Sequence, residues 1–335
     1  MTAKLFIGPM SKNIVNVVSE VCNEKNISIG LIPSRRQVEY SGGYVEGWTT
    51  AEFVKYARSR SPLTVLQRDH GGPGQGLSTL DDGRNSLIVD SALSFDLLHI
   101  DPWKVHRQLD KGISCTRELI KLCDSINPNC RYEIGTEQAI REYSVEDLEK
   151  IIQKTRDGLG EELFAKVEYA VVQGGTAIQG TRNVGTFNAS KCAAMATLCR
   201  QYGLKSKEHN GDYLTPAGIK KRFELGLSAL NIAPEFGVIE TQCILEEILN
   251  HFDSEALDKF YNLCYNSNKW VKWLPKNIDS ATIELKKHVI IRTSGHYVFS
   301  TDEFKSLKGK YPNIDEKIRR RLRQRIEEIL CATEP

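Results

Sequence analysis

Residues 131–155, RYEIGTEQAIREYSVEDLEKIIQKT, hold one complete copy of the unit from which the fold is read. The run 131–134 has the short, bulky character of a strand. A polar turn with Gly135, Thr136 and Glu137 follows it, and 145–155 then carries apolar residues at helical spacing behind Ser144, an N-cap residue.

Working outward, the same alternation recurs along the chain. Strands are predicted at 5–8, 27–32, 63–67, 95–100, 131–134, 169–173, 204–208 and 228–232. Each is followed by a helical segment. Residues 13–24 place Ile14, Val17, Val18 and Val21 on one face, and Thr49 with Glu52 forms a capping box ahead of Phe53, Val54 and Ala57. Further helices are predicted at 85–93, 117–126, 145–155, 189–202 with Gly203 behind it, from Thr215-Pro216 to Gly226, and at 235–250. Eight strands alternating with eight helices in about 250 residues match a (β/α)8 TIM barrel. An open doubly wound sheet is the competitor; the turn after the first strand lacks its G-x-G-x-x-G fingerprint. The expected division is a barrel over 1–252 and a mostly helical C-terminal extension over 253–335 packed on it. The extension breaks the rhythm with a helical stretch at 256–267, Trp270 and Trp273, and apolar runs at 289–291 and 297–299. Its final helix, 314–330, sets Ile318, Leu322, Ile326 and Leu330 against an arginine-rich face that reads as solvated.

Composition narrows the function. The chain has 335 residues, 45 Lys+Arg against 43 Asp+Glu, and a net charge of +2, so it carries no electrostatic footprint for nucleic acid. No stretch reaches the roughly 20 apolar residues that span a bilayer, and the apolar run before Pro9 is too short for a signal-peptide core. The nine cysteines are scattered without a C-x-x-C pair, which fits reduced thiols, a cytoplasmic location and no zinc-thiolate centre.

A barrel converges the C-terminal ends of its strands on one rim, where active sites lie. That rim receives Ser34, Arg35, Arg36 and Gln37 from strand two and Arg68-Asp69-His70-Gly71 from strand three. Strand four supplies His99-Ile100-Asp101, strand five Glu133 to Glu137, and strand six Gln173-Gly174-Gly175. Strand seven adds Lys207-Glu208-His209-Asn210-Gly211 and strand eight Asn231. His70 and His209 are candidate ligands of one divalent metal, with Glu137 as an oxygen ligand. Asp69 is either an acid–base group at that centre or a carboxylate orienting a neighbour. The glycines of Gly174-Gly175 and Asn210-Gly211 allow backbone N–H groups to approach a phosphate. Arg35, Arg36, Arg182 and Arg292 are candidates for a second anionic group.

Taken in order, IPSRRQVEYSGGYVEGWTTAEF, QRDHGGPGQG, YEIGTE, VVQGG and KEHNGDYLT resemble the accessory subunits of class II tagatose-bisphosphate aldolases, relatives of the metal-dependent class II ketose-bisphosphate aldolases. The likeness spans about residues 27–300. It implies a TIM barrel, a divalent metal of the Zn2+ type, and a phosphorylated ketose or its triose and aldose fragments as substrate. It also implies that Asp69 handles the proton of the substrate C4 hydroxyl, that His70 and His209 bind zinc, and that Asn231 contacts the triose part. Where the catalytic enzymes place a further zinc-binding His on strand six, this chain has Gln173, as the accessory subunits do. Gln is a poorer zinc ligand than imidazole.

The expected activity is therefore aldol or retro-aldol chemistry on a phosphorylated ketose through an enediolate. Asp69, Glu137 and Glu133 are the expected catalytic groups; His70, His209, Glu137 and Gln173 are the expected metal ligands. Ser34, Arg35, Gln37, Asp101, Gly174, Gly175, Asn210, Gly211, Asn231 and Arg292 are expected on the substrate and its phosphates. C4 epimerisation of a ketose requires the same enediolate. A non-catalytic subunit stabilising a catalytic aldolase in a hetero-oligomer is the reading from a different class, and a homo-oligomer is also compatible.

Overall fold

A computed structural model of the chain describes residues 3–78, 80–274 and 286–334. Eight parallel strands close into a barrel: β1 (Leu5–Ile7), β2 (Gly30–Leu31), β3 (Val65–Gly71), β4 (Leu97–Ile100), β5 (Arg131–Ile134), β6 (Val167–Val172), β9 (Lys205–Glu208) and β10 (Ala229–Ile232). The intervening β7 (Ile178–Gln179) and β8 (Arg182–Asn183) form a small antiparallel hairpin in the loop after β6. Closure is made by β10 on β1, with Leu5 opposite Leu230 and Ile7 opposite Ile232. The expected TIM barrel is the observed fold.

The outer helices follow the strands in turn: α1 (Lys12–Lys25), α2 (Thr50–Arg60), α3 (Arg84–Ala92), α4 (Leu109–Ile126), α5 (Val145–Leu159), the short α6 (Glu161–Phe164), α7 (Ala189–Gln201), α8 (Pro216–Glu224) and α9 (Pro234–Asn250). The local signals hold. Thr49 and Glu52 make both hydrogen bonds of the capping box, Ser144 accepts from the Asp147 N–H, and Thr215 caps a helix that has Pro216 in its first turn. Helix α4 starts eight residues before the sequence reading. Gly112 resembles a break, but it is where the helix lies against Trp103: a Cβ there would come within 2.3 Å of the indole.

The extension adds α10 (Ser254–Asn266), α11 (Lys287–Ser294), α12 (Asp302–Lys308) and α13 (Ile314–Ala332). The apolar runs at 289–291 and 297–299 lie in α11 and in the turns after it. Helix α13 packs on α1, α8 and α9. It buries Ile314, Ile318, Leu322, Ile326 and Ile329, whereas Leu330 is half-buried. These residues join the same apolar core as Ile14, Val18 and Phe236 of the barrel helices. A separate small cluster of Ala3, Phe6, Ile32, Leu97, Tyr169 and Ala229 packs together among the barrel strands.

Candidate active site

Side chains two residues apart on a strand share a face, so Gln67 and Asp69 on β3, and Lys207 with His209 at the end of β9, face the same way. A regular strand would send His70 to the side opposite Asp69. Instead the register with β4 shifts between Arg68 and Gly71, and His70 has a left-handed backbone at φ +50°. That irregularity brings both neighbouring side chains to the rim, at a conformational cost of the kind found at functional sites.

Asp69, His70, His99 and His209 each offer a donor atom there, all within 4.8 Å of one another. The three imidazole centroids are 4.9–5.3 Å apart. Each ring has one nitrogen on an outer acceptor. His70 Nδ1 lies 2.5 Å from Asp101 Oδ2, His99 Nε2 3.0 Å from the Gly135 carbonyl, and His209 Nε2 2.6 Å from Glu133 Oε1. The other three nitrogens turn toward Asp69: His70 Nε2 at 3.7 Å, His99 Nδ1 at 3.7 Å and His209 Nδ1 at 3.9 Å. His99 Nδ1 also accepts the His70 backbone N–H at 3.2 Å, so its proton belongs on Nε2. Asp69 Oδ1 is buried and has no hydrogen-bond partner.

The residues fit a divalent cation. Ligating imidazoles characteristically hold their far N–H on a carboxylate or carbonyl, which fixes the tautomer and presents the near lone pair; all three rings have the outer bond, while the near Nδ1 of His99 also accepts the His70 backbone N–H. The electrostatics agree. Burial opposes charge on Asp69, yet the charge of His70, followed by the pull of His99 and His209, holds its carboxyl down at about 2. Burial would lower His70, but the Asp69 charge and the bonds to Asp101 and Glu137 raise it well above an ordinary imidazole. The carboxylates thus make a pocket that favours positive charge.

The other expected residues divide by what already holds them. Glu133 is fully buried and works from outside the donor group. One oxygen holds His209, and the other takes Lys207 Nζ at 2.5 Å and Gln67 Nε2 at 2.8 Å. Burial opposes its charge, but Lys207, His99 and His209 keep it ionised, well below the usual carboxylate range. Glu137 is half-buried, 3.6 Å from His70 Nε2, and accepts from Asn210 Nδ2 at 2.7 Å. Gln173 is turned out of the donor group: its oxygen accepts the Tyr143 N–H, and its amide donates to the Thr136 and Arg141 carbonyls. Those three bonds correct the expectation that it is a metal ligand.

Asp101 is spent on His70, the Thr136 hydroxyl and the Trp103 N–H. Arg35 is enclosed by Glu39, Ser86, Asp81 and the Gly72 carbonyl, so its donors are committed within the protein. Gln37 accepts the Ser34 N–H and donates to Met10 Sδ. The N–H groups of Gly174 and Gly211 already donate, to Glu208 Oε1 and the Asn231 carbonyl. Gly175 and Asn210 are left-handed, at φ +102° and +56°. Asn231 is 3% exposed with both side-chain polar atoms unpartnered, and Arg292 keeps a buried Nε without an acceptor.

The sequence reading put His99 and Lys207 at strand ends on the rim but gave neither a role. The signal was strand parity: His99 shares a face with Leu97 and Asp101, and Lys207 with His209.

No known family profile matches the chain, and no curated protein does. Solved structures share the fold. A protein from Sinorhizobium meliloti 1021 described as a probable tagatose 6 phosphate kinase superposes with a TM-score of 0.73 at 17% identity, covering 99% of this chain and 97% of its own. The fructose-bisphosphate aldolase of Campylobacter jejuni gives 0.59 at 13% identity over 99% and 91%. The YdjI aldolase of Escherichia coli K12 gives 0.57 at 11% over 98% and 91%. These likenesses show the barrel fold.

Proposed function

We propose that the protein is a metal-dependent lyase that makes or breaks a C–C bond of a phosphorylated ketose. The observation that carries this reading is the orientation of the three imidazoles, each pinned on its outer side with its other nitrogen turned toward Asp69. His70 and His209 would hold the cation, and His99 on β4 would supply a third imidazole by releasing the His70 backbone N–H from its Nδ1. Three nitrogens with a neighbouring carboxylate suit Zn2+. When bound, the metal supplies Lewis-acid polarisation of the substrate carbonyl.

Asp69, kept ionised, accepts the C4 hydroxyl proton as the C3–C4 bond breaks and returns it in the reverse direction. Asp101 and Glu133 hold His70 and His209 in their working tautomers. Asn231 would hydrogen-bond the enediolate fragment, a role supported by its two buried, unpartnered side-chain polar atoms. Arg292, whose buried Nε has no partner, would bind a phosphate. Nine free cysteines are in keeping with a reducing, cytoplasmic setting.

The test is metal analysis with a retro-aldol assay over a panel of ketose phosphates. Purified protein should carry about one divalent ion per chain and lose turnover with a chelator. Asp69→Asn should keep the fold and lose about 10²–10⁴-fold in kcat, the range for an acid–base group. No bound metal, with unchanged behaviour after chelation, would overturn the reading. Inversion at C4 without net cleavage would replace it with an epimerase, and silence until a second aldolase subunit is added would replace it with the accessory role.

A further inference from the structure

Close to the imidazoles lies a buried charge that the chemistry above leaves unused. Lys207 is fully buried on β9. Its ammonium is 2.5 Å from Glu133 Oε2 and 2.7 Å from Gln67 Oε1, and stands 3.5 Å and 4.1 Å from the ring centroids of Phe6 and Tyr169. The Gln67 amide donates to the same Glu133 oxygen at 2.8 Å. Two donors therefore occupy Oε2, and Oε1 is left for His209 Nε2 at 2.6 Å.

We propose that Lys207 is a positioning residue for the metal centre. Together with Gln67 it clamps one oxygen of Glu133, so that the other holds the Nε2–H tautomer of His209 and points Nδ1 at Asp69. The inference rests on the ligand set given above but concerns a link that exists with or without the ion. The ammonium spends its donors on Glu133 and Gln67 and lies against two aromatic rings, so its reach to the rim runs through Glu133 and His209. A buried ion pair is a weak source of stability, because desolvation offsets most of its attraction. Its value here lies in direction. Two donors on one carboxylate oxygen remove the freedom of that group to rotate, and a ligating histidine needs a fixed outer partner.

The experiment uses the whole chain. In metal-free wild-type protein, nitrogen-15 spectra of the histidine rings should show His209 protonated on Nε2. Lys207→Met should populate the other tautomer and weaken Zn2+ binding about 10–100-fold in chelator competition, the range for loss of an outer partner. If Lys207→Met does not fold, Gln67→Met, which keeps the lysine, should give a smaller change of the same kind. A Lys207→Met protein with the wild-type tautomer and wild-type Zn2+ affinity, and only a shifted melting temperature, would reduce the lysine to a structural ion pair and overturn the proposal. A wild-type protein that binds no divalent ion, yet shows the Nε2–H tautomer and loses it in Lys207→Met, would uphold the positioning role while removing the lyase reading.

Discussion

Asp212, three residues past His209, shows how single side chains serve both the loop and the fold. Its Oδ1 accepts the backbone N–H groups of Ala233 and Glu235 at 3.0 and 2.8 Å, tying the β9 loop to the start of α9. Its Oδ2 is buried without a partner. Burial, and after it the charge of Glu235, push the carboxyl up to about 8. The folded state thus favours the protonated acid. That contribution is complete below about pH 4, the unfolded value, and is lost as pH rises toward 8. Asp212→Asn keeps the Oδ1 acceptor and removes the titration. At pH 8 it should stabilise the protein by about 1–3 kcal/mol, because the wild-type acid ionises freely when unfolded but not when buried, and the gain should vanish near pH 4. Thermal melts of both proteins across that range check this; a gain independent of pH would refute it.

At the scale of elements, what was legible was local. The capping box of α2 and the Thr215-Pro216 start of α8 are settled within four residues, so the sequence displays them. Helix α4 runs through Gly112 from Leu109, and Gly112 lies against Trp103, a residue outside the helix. Gly112→Ala gains about 1 kcal/mol of helix propensity but must displace the indole. It should therefore lower stability by a net 1–3 kcal/mol, roughly the cost of overpacking a core, measured by urea denaturation. A variant more stable than wild type would show that helix and indole separate freely. The β3 irregularity is of the same kind. Neighbouring Asp69 and His70 are visible as a pair, but that both reach one rim follows from the register shift against β4.

The whole molecule depends on its last helix. Ile318, Leu322 and Ile326 of α13 are fully buried in the core shared with α1 and α9. Arg325 binds Glu235 at 2.6 Å and the Leu214 carbonyl at 2.8 Å, bracing the β9 loop and α9 from outside. Removing one such apolar side chain costs about 2–5 kcal/mol, and three together approach the 5–15 kcal/mol that holds a whole protein folded. A chain ending at residue 312 should show no cooperative transition by calorimetry. Melting at the wild-type temperature would mean that the barrel stands alone.

By itself the sequence determined the eightfold alternation, the capped helices and the rim that carries Asp69, His70 and His209, because these follow from periodicity and short-range hydrogen bonding. Only the tertiary structure decided which groups meet. It exchanged Gln173 for His99 in the donor group, assigned Glu133 and Asp101 to hold imidazoles, and enclosed Arg35 among carboxylates and a hydroxyl. The reason is geometric: an imidazole or an amide becomes a ligand by what its second polar atom bonds to, and those partners come from other strands.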